Sequence, residues 1–252
     1  MYKVDYDRVA PDYNRRYEVS DYAGFEKTIR SFVSKHNASK VLEVGCGTGR
    51  WLRLLNELGC EYAGFDYSAG MLAIAREQLD GDIREGSAES LPWGDASFDC
   101  VQIVNAFHHF PEKEASLREA YRVLKPGGAI LLIGLDPHEE SGSWFIYDYF
   151  PEALKADLVR YPSRAQQVEW LGNVGFEEPA TATAEPVKFS VTYETAMEQG
   201  ILNHSFTSQL TVLTEDEYAA GMDRIRNAAK ADNSLRLEGD FAFYSIEARK
   251  PE

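Results

Sequence analysis

Three glycines, Gly45, Gly47 and Gly49, fall within five residues of the stretch VLEVGCGTGR, which runs from Val41 to Arg50. Glu43 precedes them, so the pattern is E-x-G-x-G-x-G. A backbone this bare bends tightly and lets a bulky ligand lie close against it. It is not the dinucleotide fingerprint G-x-G-x-x-G, because Arg50 holds the place of the third glycine, which argues against a nicotinamide-dependent oxidoreductase. Asp66 follows 21 residues after Gly45, at the end of a second apolar run. That separation places a carboxylate beside the ribose of a nucleoside lying across the switch point of a parallel sheet, where two hydroxyls can donate to it.

A second constellation is His108 and His109, just past another apolar run. Imidazoles titrate near neutrality, so either could act as a general base; the alternative is that one packs against its loop and the other is solvated. The adjacent pair lacks a cysteine or carboxylate at ligand spacing, so no metal site is expected. Tyr6, Tyr13 and Tyr17 either fold over a ligand from an N-terminal arm or serve as the core face of an amphipathic helix. Trp144, Phe145, Tyr147, Tyr149 and Phe150 read chiefly as packing, with an aromatic acceptor site as the alternative.

The elements that must hold these residues are legible from Lys40 to Leu135, where short apolar runs alternate with helical spacing, as in a parallel sheet flanked by helices. KVLEV, CEYAGFD, DIREGSA, DCVQIVN and AILLIGL read as five strands. Between them, Trp51, Leu52, Leu55 and Leu58 mark a helix ending at Gly59, Ser68 caps another, and Leu117, Ala120, Tyr121 and Leu124 line a third. SRAQQVEWLGNVGF reads as a further helix and EGDFAFYSIEARK as a terminal antiparallel strand. The expected organisation is a helical arm over 1–36, an α/β core over 37–184, a helical cap insertion over 185–238 and the last core strand over 239–252.

The formal charge of −15 would repel a phosphate backbone or an anionic membrane, so neither nucleic acid nor membrane is an expected partner. Three isolated cysteines, Cys46, Cys60 and Cys100, suit a reducing setting, and no signal peptide or spanning run is legible; a cytoplasmic protein is expected. Oligomeric state is left open.

Taken in order, LEVGCGTG, GFDYSAGML, AESLPWGDASFDCV and EAYRVLKPGG resemble the successive motifs of class I S-adenosylmethionine-dependent methyltransferases. The opening YDRVAPDYN is similar to that of the small-molecule branch that includes the quinone-biosynthesis enzymes. The resemblance implies a doubly wound, mostly parallel Rossmann-like sheet of seven strands with the last antiparallel, and S-adenosyl-L-methionine as cofactor. It implies that Gly45 and Gly47, with Cys46 and Gly49 in the same loop, lie by the methionine part, that Glu43 faces its ammonium, and that Asp66 holds the ribose. Tyr67 and Met71 would flank the adenine beside Ser87 and Ala88, Asn105 would lend its backbone, and Tyr13 would close over the cofactor. Phe107 and His108 would begin the loop that faces the acceptor.

In that family an aspartate usually stands where this chain has Ser87, and a hydroxyl accepts more weakly than a carboxylate, so Ser87→Asp is expected to tighten cofactor binding. The implied activity is in-line methyl transfer to a small-molecule O, N or C nucleophile, for which His108 and His109 are the candidate catalytic residues. The alternatives are a non-catalytic cofactor-binding module and, against the charge, a modifier of RNA.

Overall fold

The computed structural model describes residues 6–15, 22–139 and 142–252. Tyr17 lies outside the described residues. An N-terminal segment of α1 (Tyr6–Val9) and a 3-10 turn (Ala10–Arg15) precedes α2 (Ala23–Lys35). The chain then alternates through β1 (Lys40–Val44), α3 (Arg50–Glu57), β2 (Glu61–Asp66), α4 (Ala69–Gln78), β3 (Asp82–Glu85), β4 (Phe98–Val104), α5 (Lys113–Val123) and β5 (Leu124–Leu135). These five strands are parallel in the order β3-β2-β1-β4-β5, so the order reverses between β1 and β4. Nearly every residue of β1 and β4 is buried, which is why their sequences read as unbroken apolar runs and not as alternation.

Local signals place the helices. Gly59 takes a φ of 76° just beyond α3 and its amide donates to the Asn56 carbonyl, ending the helix as a left-handed glycine does. The Ser68 hydroxyl accepts from the Met71 amide and caps α4. The KPGG segment lies within β5, which follows α5 directly. Leu124 already pairs with Phe98, and a bulge follows before Cys100 meets Ala129.

Beyond β5 come β6 (Ser143–Trp144), α6 (Phe145–Tyr149), α7 (Pro151–Arg160), α8 (Arg164–Val174), β7 (Glu177–Thr192), α9 (Tyr193–Glu198), α10 (Ser208–Thr211), α11 (Glu215–Ala231) and β8 (Arg236–Arg249). β8 runs antiparallel to β5 and β7 pairs along its other edge, completing a sheet of seven principal strands with the last reversed. The two-residue β6 adds a short bridge to β8.

The expected boundaries of the cap fall inside strands: residue 185 lies within β7 and residue 238 within β8. The sequence GFEEPATATAEPVKF has too few large apolar residues to announce a strand, and pairing with β8 is what extends it. A third apolar cluster, apart from the two that cover the sheet faces, joins Phe145, Ile146 and Phe150 to Ala196, Leu202, Leu210, Ile225 and Leu237. The helices beyond β5 thus share one apolar cluster drawn from two chain segments, α6–α7 and α9–α11.

Candidate active site

At the switch point β1 ends on Glu43 and Val44, and the loop turns under Gly45, Gly47 and Gly49 at φ values of 80°, 52° and 81°. A Cβ on Gly45 would lie 2.3 Å from that of Ala106, so the loop can pass the β4 turn only without a side chain. A Cβ on Gly47 would meet nothing within 4 Å, because that side of the loop opens into a cavity of 510 Å³. Gly49 does not line this cavity; its Cβ would strike Leu79, and its work is to start α3.

The Asp66 carboxylate accepts from the Gly47 amide at 2.8 Å and the Ser68 amide at 3.0 Å, and so fixes the loop against β2. Burial raises its pKa, partly offset by those amides. Glu43 is fully buried, and neither of its carboxylate oxygens has a hydrogen-bond partner. Gln102 is its register neighbour on β4, but the amide of Gln102 is unpartnered too. Burial pushes the Glu43 carboxyl well above the ordinary range, against the opposing effect of the neighbouring Gln102 side chain and with the Asp66 charge adding to it. Burial therefore favours its neutral form, and a cation seated above the loop would favour ionisation.

The other predicted cofactor residues gather on the same cavity: Tyr13, Cys46, Tyr67, Met71, Ser87, Ala88 and Asn105 all line it. Asn105 holds a φ of 50°, a conformation few residues other than glycine adopt, and its side-chain oxygen is buried without a partner. Burial pushes the Cys46 thiol well up, with Asp66 and Glu43 adding to the shift, so it lines the wall as a neutral group. The exposed Ser87 hydroxyl is hydrogen-bonded to the Glu89 carboxylate, so an acceptor charge already stands beside it. These orphaned acceptors, with the open face of Gly47, fit a nucleoside carrying a cationic amino-acid tail.

The N-terminal segment closes one side. Asp7 accepts from the Ser68 hydroxyl at 2.6 Å and the Gly70 amide at 2.9 Å, and the Thr48 hydroxyl donates to Asn14 at 2.7 Å. Tyr6 is thereby held with its hydroxyl 2.6 Å from His109 Nε2, and its ring lies edge-on to Tyr67 and Tyr13.

His108 and His109 both line the cavity, whereas Phe107 points away and packs on Phe110 and Trp170. The His108 ring stacks on Tyr161 at 3.9 Å, and its Nε2 is buried without a hydrogen-bond partner. Burial, and then the charges of His109, Arg160 and Lys113, hold its pKa well below the usual value, so the ring is neutral and can accept a proton or a hydrogen bond. None of Trp144, Phe145, Tyr147, Tyr149 and Phe150 lines the cavity; all five belong to the cap's own core.

Sequence reasoning passed over Lys113, Val159, Arg160, Tyr22, Phe25 and Trp51, which also line the cavity. They come from α2, α3, α5 and α7, outside the loop motifs, and only the folded arrangement brings them together. The i, i+3 pairing of Asp157 with Arg160 was the one legible hint, since it places opposite charges on one helical face.

Residues 42–132 match the family model described as a methyltransferase domain. The demethylmenaquinone methyltransferase of Thermotoga maritima is 29% identical over 211 residues, covering 74% of this chain and 90% of that protein. The protein of the same name from Listeria monocytogenes serotype 4a is 33% identical over 195 residues, covering 72% and 82%. A SAM-dependent methyltransferase of Thermotoga maritima of solved structure is similar in fold, with a TM-score of 0.61 at 21% identity over 97% of this chain and 98% of that one.

Proposed function

Because the chain belongs to the class I S-adenosylmethionine-dependent methyltransferase family, we propose that its glycine loop seats the cofactor and that the acceptor meets it from the side of His108, Lys113 and Arg160. The buried carboxyl of Glu43 carries this reading, because burial holds it neutral in the free protein and it can ionise opposite the cationic end of the cofactor. Asp66 would take the ribose, Tyr67 and Met71 the adenine, and Arg50, on the same cavity wall, the cofactor carboxylate. S-adenosylmethionine supplies a methyl group on a sulfonium, which a nucleophile displaces in line.

The chain's own contribution is alignment and exclusion of water. Tyr6 and Tyr13 cover the cavity, while Asp7, held by Ser68 and Gly70, keeps that cover in place. Neutral His108 accepts the proton when the nucleophile is a hydroxyl or an acidic carbon, through the Nε2 atom that faces no protein partner. His109, bonded to Tyr6, positions the cover. The curated relatives are named for demethylmenaquinone, so its reduced form belongs in the first acceptor panel with simple phenols, amines and carboxylic acids.

The test is transfer of labelled methyl to that panel, beside calorimetric titration of the cofactor into wild type and Asp66→Ala. Binding lost in the variant and label transferred to at least one acceptor is the expected result. Cofactor binding unchanged by Asp66→Ala would sink the assigned seat. For a hydroxyl acceptor, His108→Gln should lower kcat about 100-fold or more, with the cofactor Kd unchanged.

A further inference from the structure

Arg160 is the last residue of α7 and only 6% exposed, yet two of its three guanidinium nitrogens, Nε and Nη1, have no hydrogen-bond partner. The third, Nη2, donates to Asp157 and reaches the Ser208 carbonyl at 3.4 Å. Asp157 is fully engaged elsewhere: its Oδ2 accepts from the Tyr147 hydroxyl at 2.7 Å and the Gln209 amide at 2.8 Å. The network thus fixes the guanidinium rigidly while leaving two donors unused on a residue that lines the cavity.

Lys113 lines the same side, where its ammonium donates to the Phe110 carbonyl at 3.1 Å. Burial lowers its pKa and the nearby Arg160 charge lowers it further, against the opposing charge of Glu112. The carboxylates on the cavity wall, among the described residues, are Glu43 and Asp66, both at the glycine loop. In a chain of net charge −15, Lys113 and Arg160 bring two cations to this part of the cavity wall, apart from Arg50 beside the glycine loop. Phe110, Pro111 and Val159, the last 74% exposed, form an apolar rim next to it.

We propose that the methyl acceptor carries a carboxylate, held by Arg160 and Lys113, with its apolar body against Phe110, Pro111 and Val159. A carboxylate on this wall offsets both charges, so it binds where a neutral isostere would leave them desolvated. The inference rests on the methyltransferase reading, which assigns the glycine-loop end to the donor and this end to the acceptor. It makes Arg160 and Lys113 determinants of acceptor choice that take no part in cofactor binding.

The experiment uses protein saturated with S-adenosylhomocysteine and titrated calorimetrically with benzoate, phenylacetate, 4-hydroxybenzoate and octanoate, each against its amide, and with phenyl phosphate as a separate arm. At least one acid should bind about tenfold or more tighter than its amide. Arg160→Gln should abolish that preference and Lys113→Gln should reduce it, each leaving the affinity for S-adenosylhomocysteine within about twofold of wild type. Should Arg160→Gln fail to fold because Asp157 is stranded, Lys113→Gln and the wild-type acid-to-amide ratios still decide the matter. Equal affinity for every acid and its amide, or no binding of any acid, overturns the proposal; binding of phenyl phosphate alone replaces the carboxylate with a phosphate monoester. Failure of S-adenosylhomocysteine to bind at all would instead remove the reading on which the proposal rests.

Discussion

At the scale of single residues, the chemistry depends on groups the fold leaves unsatisfied. Glu43 has a pKa raised above its unfolded value of 4.5, so the folded state binds the extra proton and stability falls as pH rises above about 4.5. Glu43→Gln should flatten that fall in thermal melts of the cofactor-free protein while weakening S-adenosylmethionine binding tenfold or more, about 1.4 kcal/mol. If the cofactor binds Glu43 in its ionised form, binding releases a proton, and calorimetric enthalpies should vary with buffer ionisation heat; an enthalpy independent of buffer would argue against that seat. The expected gain from Ser87→Asp is modified by Glu89, whose carboxylate already bonds the Ser87 hydroxyl. A new carboxylate there faces a like charge, so Ser87→Asp with Glu89→Gln should bind the cofactor more tightly than Ser87→Asp alone. Glu43, Asp66 and the glycines were legible because backbone geometry demands those residue types at those spacings. Arg160 and Lys113 were not, since a helical cation reads the same whether it faces solvent or a cavity.

At the scale of elements, the strands β1 to β5 were legible because burial on both faces leaves uninterrupted apolar runs, punctuated by glycine and by the Ser68 cap. β7 was not, because its residues are largely exposed and its strand character is borrowed from β8. One polar device at the far end of the sheet was equally silent in sequence. The Asp99 carboxylate, on β4, accepts from the Ser39 amide and hydroxyl and the Lys40 amide at 2.8–3.0 Å, and from Lys125 at 2.6 Å. Burial opposes its charge, but these partners prevail and hold its pKa at about 2, below the unfolded 3.8. Its contribution is therefore complete above pH 4 or so and is lost as pH falls through about 2. Asp99→Asn should cost about 2 kcal/mol at pH 7 in denaturant unfolding, with the difference from wild type vanishing toward pH 2. The N-terminal segment is held by Asp7, so Asp7→Ala should free it to proteolysis and speed cofactor release; unchanged cleavage would show that the aromatic contacts alone suffice.

At the scale of the whole molecule, the proposed reading assigns cofactor and acceptor to different layers. The glycine loop at the sheet edge would hold the first, and the cavity wall reaches the helices beyond β5 through Val159 and Arg160 at the end of α7. A Cβ on Gly221 would come within 2.0 Å of Phe150, so Gly221→Ala should force α11 away from α6 and α7. The expected result is a raised KM for the acceptor with cofactor affinity within about twofold of wild type; an equal loss in both would mean that the layers are not separable. A cluster of two segments was hidden in the sequence because apolar residues far apart in the chain carry no mark of which partner they will meet. β7 and β8 pair in register from Glu185 and Phe243 out to Thr192 and Arg236, so both ends of the segment between them are anchored in the sheet. Topologically, α9 to α11 are the loop of one long β-hairpin. A graft that exchanged them between Thr192 and Arg236 would therefore leave the strand register untouched, yet would strip Phe145, Ile146 and Phe150 of their partners. A transplanted acceptor specificity must accordingly travel as two pieces of chain, and a chimera that carries only the hairpin loop should aggregate through the apolar face it uncovers.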